Sequence, residues 1–213
     1  MPNPAEDFEI TAASAEDIVT LGAWAHEEGW NPGLTDGGVF FPTDPGGFRT
    51  CWSNARYEGT PPPDIAPPPG TSLVDARTVP FARLAAYDRR FFPAPRDGFL
   101  AAWITAPGRT ALAAVRDGEL QGLGVVRACR SASRIGPLYA ASPQAAAALV
   151  SALAATVPDG AVAVDVPDVN PAAVRLAGEL GLTPSFDTAR MYTGPEPVID
   201  RDGYYGITSL ELG

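Results

Sequence analysis

Two carboxylates and an amide lie close together in sequence at one joint of the chain, where the apolar run AVAVDV meets PDVNPAAVRLAGELG. Asp165 and Asp168 form a pair that could bind an amine, although Asp168 is equally suited to starting the helix that follows. Asn170 is a favourable N-cap, Pro171 occupies the first helical position, and Gly181 is placed to end the helix in a left-handed turn. With SFDTARMY alternating behind it, the joint predicts a strand, a helix and a strand, with polar side chains at the first junction.

The sequence offers one histidine and two cysteines for acid–base or metal chemistry. His26 borders the apolar stripe of the predicted helix AEDIVTLGAWAHEE, and we interpret it as a solvated helix residue rather than as a base at a substrate site. Cys51 and Cys129 are far apart in sequence, and no second pair is present to complete a metal site. Two free, buried thiols are therefore expected, with no metal site and no disulfide framework.

Composition excludes several classes of partner and mechanism. The chain has 213 residues and a formal net charge of −10, and every basic residue is an arginine. The absence of lysine excludes a lysine nucleophile, a Schiff base and the lysine of a phosphate-binding P-loop. The dispersed acids repel nucleic acid, and no apolar run approaches the roughly 20 residues that span a bilayer. Because MPNPAEDFEITAAS also lacks the features of a signal peptide, we expect a cytoplasmic protein without nucleic-acid or membrane partners.

The stretch TPPPDIAPPPG divides the chain into two unequal parts. Proline at this density favours an extended conformation without ladder donors, so residues 60–70 are predicted to be a semi-rigid linker. Residues 71–213 have the size of one ordinary domain, whereas residues 1–59 are too few for a comfortable core of their own. The large apolar residues of that shorter part lead us to expect that it docks on the longer part, or on a second copy in a homodimer.

The longer part alternates between strand and helix patterns. TSLVDARTV, RIGPLYA, AVAVDV and YYGITSLEL predict strands, and RTALAAVRDGELQGLGVVRACR predicts a hairpin that turns at Asp117-Gly118. PFARLAAYDRRFF, RDGFLAAWITA and SPQAAAALVSALAATV predict helices, the last with Ser142 as its cap and Pro143 at its first position. The order predicts an α+β (mixed α/β) domain with a twisted, largely antiparallel sheet flanked by helices. A helix between RIGPLYA and AVAVDV predicts that these two strands are adjacent, parallel and central.

The helix NPAAVRLAGELGL resembles the late helix of the GNAT superfamily of acyl-CoA-dependent N-acyltransferases. Asn170, Ala173, Leu176 and Gly181 match the family pattern, with Leu182 in the place of a phenylalanine. Ala177 stands where many members carry a tyrosine. The resemblance implies an N-acetyltransferase that moves an acetyl group from acetyl-CoA to an amine of a small molecule. The alternative is a non-catalytic GNAT-like module that binds a ligand or partner without turnover.

Further stretches resemble a bacterial tandem-GNAT group. HEEGWNPG and WSNARYEG are similar to the opening and the close of its N-terminal domain, and YDRRFF, RIGPL and TARMYTG to its C-terminal domain. Between the first two stretches the family carries several strands, a cofactor loop and two helices, but this chain passes directly through DPGGFRTCW. Phe48 and Arg49 are therefore interpreted as the two sides of an internal deletion that leaves residues 1–59 as an incomplete N-terminal GNAT segment. A naturally compact N-terminal arm is the alternative.

The resemblance implies that acetyl-CoA, as co-substrate, binds where RIGPLYA and AVAVDV part. Backbone groups of Leu138 and Tyr139 and the side chain of Asn170 are expected to contact the pantetheine arm. Amides near Gln144 and Ala145 are expected to meet the pyrophosphate at a helix N-terminus. Two neighbours weaken this site, because Pro143 has no N–H and a capping Ser142 competes with phosphate for the amides, so binding is expected to be weak.

The resemblance also implies contacts to the acceptor amine. Trp30 and Asn31 lie in a loop that faces the acceptor in the family, and Tyr192 of TARMYTG is a further substrate contact. Since Ala177 cannot protonate a departing thiolate, Tyr139 and Tyr192 are candidate donors, although aromatic packing on a sheet is the favoured interpretation of each.

Overall fold

Eight strands form one open, mostly antiparallel sheet, and four helices cover its faces, in the part of the chain that the structure describes. The structure is a computed structural model that describes residues 48–129 and 132–211. The strands are β1 (Arg49–Gly59), β2 (Thr71–Asp75), β3 (Arg109–Arg116), β4 (Glu119–Arg127), β5 (Ser133–Ala140), β6 (Val162–Pro167), β7 (Thr183–Tyr192) and β8 (Tyr204–Gly206). The helices are α1 (Phe81–Asp88), α2 (Asp97–Thr105), α3 (Pro143–Ala154) and α4 (Pro171–Glu179), with a 3₁₀ turn at Ala76–Thr78.

The sheet has the strand order β2-β3-β4-β5-β6-β1-β7, and β8 pairs with β5 outside this path. Each pairing is antiparallel except that of β5 with β6, which are parallel over residues 133–135 and 162–164. The crossover between these two strands contains α3, as parallel pairing requires. The predicted α+β class is confirmed, and so is the prediction that these two strands are adjacent, parallel and central.

Local sequence rules account for the hairpin and for the helix after β6. Asp117 and Gly118 have φ angles of 52° and 79°, the left-handed pair that a two-residue hairpin turn needs. Asn170 caps α4, since its Oδ1 accepts the N–H of Ala172 at 3.0 Å. Gly181 has φ 74° just beyond the helix, as its position predicted.

Each face of the sheet has its own apolar cluster. α3 and α4 pack on one face, where the cluster includes Leu149, Leu153 and Leu176. α1 and α2 pack on the other face, where it includes Leu84, Leu100, Phe91 and Trp103. Neighbouring residues of β4 point to opposite clusters, Val125 to the second and Val126 to the first, as the pleat of a strand requires. The sheet is therefore buried on both faces in its centre.

Strand β1 lies inside this sheet, although the sequence assigned it to the N-terminal segment. It pairs antiparallel with β6 on one side and with β7 on the other. Arg56 of β1 binds Asp165 of β6 through two hydrogen bonds, Nε to Oδ1 at 2.7 Å and Nη2 to Oδ2 at 3.0 Å, and their side chains are only 8% and 7% exposed. Burial lowers the pKa of Arg56, but the hydrogen bonds and charge of Asp165 outweigh this and leave the pKa above its usual value. The sheet thus includes residues on both sides of the predicted linker.

The predicted linker, residues 60–70, contains no helix or strand and is attached to α3. Ser151 of α3 donates its hydroxyl to the carbonyl of Pro62 at 2.9 Å and accepts the N–H of Ile65 at 3.2 Å. Ile65 also packs on the α3–α4 cluster. The extended stretch is therefore held against the domain as it crosses from β1 to β2.

Several expectations concern residues outside the described part. The predicted strand and helix before residue 48 lie there, with His26, Trp30 and Asn31. Within the described residues, no helix combines the length and the apolar character needed to span a bilayer.

Breaking the Arg56–Asp165 pair tests whether β1 is an integral strand. Arg56→Ala leaves a buried, unpaired carboxylate, so we expect the free energy of unfolding to fall by about 3–5 kcal/mol in urea denaturation. The matched control is Arg89→Ala, which removes an Arg–Asp pair of similar length whose side chains are 48% and 47% exposed. That variant should lose less than about 1 kcal/mol. Equal losses in the two variants would contradict the integral placement of β1.

Candidate functional site

Strands β5 and β6 part after a short stretch of pairing. Their parallel register ends at Ile135 and Val164, whereas β5 continues to Ala140 and β6 to Pro167. We call the space beyond this point, beside Leu138 and Tyr139 of β5 and Asp165 of β6, the β5–β6 gap. It is the place where the sequence predicted the pantetheine arm.

The β5–β6 gap is filled by the chain itself. Leu138 pairs with Gly206 and Tyr139 with Tyr204 of β8. On the other side, the N–H of Ile207 donates to the carbonyl of Asp165 at 3.0 Å. Because β4 already pairs with the opposite edge of Leu138 and Tyr139, neither edge of β5 is open here. In this arrangement β8 and Ile207 take the hydrogen bonds that the two parting strands leave free, so the place expected for the pantetheine arm is occupied by the chain.

Asn170 holds the same segment in place. Its Oδ1 caps α4, and its Nδ2 donates to the carbonyls of Asp202 at 3.1 Å and Tyr204 at 3.2 Å. The residue is 2% exposed. The sequence analysis therefore found the cap but missed its second role, and the amide that was expected to meet the pantetheine arm binds the chain instead.

A buried polar network lies at the other wall of the gap. Arg96 binds Asp88 through Nε to Oδ2 at 2.8 Å and Nη2 to Oδ1 at 2.7 Å. Its Nη2 also donates to the hydroxyls of Tyr139 at 2.9 Å and Thr208 at 3.0 Å. Arg96 carried no role in the sequence prediction, because its partners come from three separate parts of the chain. The network links α1 and β5 to the segment that fills the gap.

Tyr139 is held as a buried hydrogen-bonding residue. Its hydroxyl donates to Asp88 Oδ1 at 3.3 Å, and its ring stacks on Phe91 with a centroid distance of 4.1 Å. Burial raises the pKa of Tyr139 well above its usual value. This environment favours aromatic packing over the alternative of a proton donor at neutral pH.

A pocket of about 370 Å³ opens at the N-terminus of α3. Its walls include Ser142, Gln144 and Ala145, and the amides near the last two are the ones that the sequence analysis expects to meet the pyrophosphate. The Ser142 hydroxyl accepts the N–H of Ala145 at 3.2 Å, so this amide is occupied as the capping pattern predicted. Pro143 has no N–H, which leaves the N–H of Gln144 as the donor at this helix end without a partner among the described residues. We call this space the α3 pocket.

The wall of the α3 pocket includes an arginine side chain that the sequence analysis did not place there. Arg116, the last residue of β3, lines it beside Gln121 of β4. Both reach the helix end because β3, β4 and β5 are consecutive neighbours, and the N–H of Ala141 donates to the carbonyl of Gln121 at 2.8 Å. The predicted hairpin turn placed Arg116 at one end of the sheet, but not beside α3. The guanidinium and the helix N-terminus together give the pocket a positive character.

The carboxylates and the tyrosine expected near the acceptor have other partners here. Asp165 binds Arg56, and Asp168 Oδ1 accepts the N–H of Ser53 at 3.0 Å, so the pair does not form a free amine site. Tyr192 ends β7, its ring centroid lies 5.8 Å from that of Trp52, and burial raises the pKa of Tyr192. No group of His, Cys, Asp and Glu side chains in the described residues is arranged to hold a metal ion.

Comparison with known proteins adds independent findings. The family model described as an acetyltransferase (GNAT) domain matches residues 84–206. The holothin acyltransferase of Pseudoalteromonas sp. (strain SANK 73390) is 27% identical over 169 residues, which make up 79% of this chain and 57% of that protein.

Solved structures show the same fold. A protein of Pyrococcus horikoshii described as an acetyltransferase has a TM-score of 0.60 at 22% identity, over 94% of this chain and 58% of that one. A GCN5-related N-acetyltransferase from Sphaerobacter thermophilus has a TM-score of 0.53 at 15% identity, over 80% of this chain and 67% of that one. The chain therefore spans less than two thirds of the holothin acyltransferase and of the Pyrococcus protein.

Two buried tyrosines predict a loss of stability at alkaline pH. Burial raises the pKa of both Tyr87 and Tyr204 to about 12, above the ordinary value near 10. Between these values the unfolded phenols ionise while the folded ones keep their protons, so the free energy of unfolding falls as pH rises from about 10 to 12. Each tyrosine contributes a slope of up to about 1.4 kcal/mol per pH unit.

Tyr87→Phe isolates the contribution of Tyr87 to the pH dependence of the free energy of unfolding. The Tyr87 hydroxyl is buried without a hydrogen-bond partner in the described residues, so its removal should leave the fold intact. Urea denaturation at a series of pH values should show a shallower decline in the variant above pH about 10 and the same stability profile below it. Parallel profiles for the two proteins through this window would contradict the raised pKa of Tyr87.

Proposed function

Because the chain belongs to the GNAT acetyltransferase family, we propose that it is an acyltransferase that uses acetyl-CoA to acetylate an amine of a small molecule. The observation that carries this proposal is the α3 pocket, which offers positive groups at the N-terminus of the helix that follows β5. The relative described as an acyltransferase supports the same class of reaction.

The α3 pocket suits the phosphates of the co-substrate. A helix N-terminus attracts anions through its free N–H groups and its dipole, and α3 has 12 residues to supply that dipole. Gln144 brings the free backbone N–H, and Arg116 adds a guanidinium, whose flat array of donors matches phosphate oxygens. Ala145 can join only if Ser142 releases its amide. Arg116 therefore replaces part of the hydrogen-bond donors that are lost to phosphate through the Ser142 cap and Pro143.

The pantetheine half does not fit the arrangement that the structure describes. The edge of β5 at Leu138 and Tyr139 is paired with β8, and the Nδ2 of Asn170 is bound to backbone carbonyls. The proposed contacts of these three residues with the co-substrate therefore concern a form in which β8 has left the β5–β6 gap. When bound, acetyl-CoA supplies the acetyl thioester. The chain's part is to orient the two reactants, and orientation is the larger share of catalysis in such transfers.

The contacts with the acceptor amine are proposed from the family resemblance. Trp30, Asn31 and Tyr192 are the proposed contacts of the amine, and of these the structure describes Tyr192, at the end of β7. A small-molecule amine, a cytoplasmic location and a homodimer stay predictions of the sequence.

A non-catalytic GNAT-like module is the second candidate function. The observation that favours it is the filled β5–β6 gap, together with Ala177 in the place of the family's tyrosine. Such a module would bind the nucleotide end of coenzyme A at the α3 pocket, or bind a partner, without turnover. Acetylation of a panel of small amines, detected as release of free coenzyme A thiol, separates the two candidates.

We also propose that the chain derives from a longer, tandem-type GNAT protein by loss of an internal segment near Phe48 and Arg49. The resemblance of HEEGWNPG and WSNARYEG to the opening and the close of one family domain supports this proposal. A naturally compact N-terminal arm remains the alternative.

Titration calorimetry with 3′-phospho-ADP, the nucleotide half of coenzyme A, tests the α3 pocket. Arg116→Ala should weaken binding about tenfold or more, since a charge-assisted hydrogen bond contributes about 1.5–3 kcal/mol. Ser142→Gly should strengthen binding, because it frees the N–H of Ala145. Arg175→Ala removes an exposed arginine of α4 outside the pocket and serves as the control. Binding should also weaken with added salt. The proposal fails if the nucleotide does not bind, or if Arg116→Ala and Arg175→Ala bind it equally well.

A further inference from the structure

Residues 202–209 occupy the β5–β6 gap in an extended form, and we call them the closing segment. The closing segment contacts both walls. The N–H of Ala140 donates to the carbonyl of Gly203 at 3.0 Å on the β5 side, and Ile207 donates to Asp165 on the β6 side. An extended chain that bonds to a free strand edge makes the same kind of contact that a pantetheine arm makes with backbone groups.

The polar side chains around the gap are also bound to the closing segment. Asn170 donates both of its amide hydrogens to carbonyls of the segment, and Arg96 donates to the hydroxyl of Thr208. Tyr204, Ile207 and Thr208 are 3%, 1% and 1% exposed. A ligand that entered the gap would therefore have to replace the segment's hydrogen bonds as well as its volume.

The contact leaves no space for a second extended chain. A Cβ added at Gly136 would lie 2.4 Å from the carbonyl oxygen of Thr208 and 2.5 Å from that of Ile207. A Cβ added at Gly206 would lie 3.0 Å from Cγ1 of Val164 and 3.1 Å from Cβ of Leu138. The backbone of the segment thus touches both strands, and simultaneous occupation by an acyl-pantetheine arm is sterically excluded.

We propose that the closing segment is an autoinhibitory strand, and that acetyl-CoA enters the β5–β6 gap by displacing it. This inference rests on the proposed function, and it adds that access to that same site is controlled by the chain itself. The ladder that must open is short, because β8 has three residues and its register with β5 is interrupted between Leu138 and Tyr139. The α3 pocket remains accessible while the gap is closed, so the nucleotide half of the co-substrate binds in either state.

Hydrogen exchange on the intact chain tests displacement directly. Saturating acetyl-CoA should speed exchange of the amides of residues 203–208, and of Ala140, at least about tenfold, because these amides lose their partners when the segment leaves. Saturating 3′-phospho-ADP should leave the same amides protected. Binding of acetyl-CoA with the segment still protected overturns the proposal.

Gly206→Ala gives a second, independent measurement. Gly206 does not have a positive φ, so alanine changes the contact with Val164 and Leu138 rather than the backbone preference. The added methyl group crowds the contact of the closing segment with β5 and β6 and so weakens that contact. The variant should therefore bind acetyl-CoA at least about tenfold more tightly, with its affinity for 3′-phospho-ADP unchanged. The matched control is Gly178→Ala in α4, where an added Cβ meets nothing within 4 Å.

The outcomes separate this inference from the proposed function. If neither ligand binds to any of the proteins, the proposed function fails. If 3′-phospho-ADP binds but Gly206→Ala and Gly178→Ala have the same affinity for acetyl-CoA, the autoinhibitory role is wrong and the α3 pocket stands.

Discussion

Backbone hydrogen bonds at the place where β5 and β6 part are the constraint on which the architecture depends. Two strands that diverge inside a protein expose N–H and C=O groups that must find partners, because a buried group without one is destabilising by about 1–3 kcal/mol. In this chain β8 and Ile207 supply those partners. The other edge of β6 has the same need, and β1 supplies it. Both ends of the described chain are thus drawn into the centre of one sheet by unpaired strand edges.

Two buried ion pairs fix these insertions in register. Arg56 with Asp165 aligns β1 on β6, and Arg96 with Asp88 presents a further donor to Thr208. Each arginine makes two parallel hydrogen bonds to its carboxylate, a geometry that lysine cannot provide. Buried pairs of this kind contribute little net stability compared with apolar replacements, so we interpret them as devices that specify which strand lies where.

The features that the sequence predicted correctly depend on residues that are close together in the chain. The cap at Asn170, the turn at Asp117-Gly118 and the crossover around α3 follow from short patterns, and the parallel pair follows from the crossover. The place of β1 could not be read in this way, because pairing between residues far apart in sequence leaves no periodic signal. Arg116 and Arg96 were missed for the same reason, since each gains its role from strands that only the folded sheet brings together. The Ser142 cap of α3 was predicted because a helix N-terminus is a local feature.

Asp165 is bound both by a strand that comes long before it in the chain and by a segment that follows it, and this limits how early the domain can fold during synthesis. Its side chain binds a residue that precedes it by 109 positions, and its carbonyl binds Ile207, which follows it. During synthesis on the ribosome, β1 emerges long before β6 exists and must wait without its partner strands. The centre of the sheet can then close only when the last strand has left the exit tunnel. Folding of this domain is therefore complete only after its last strand has been synthesised, and β1 stays without its partner strands until then.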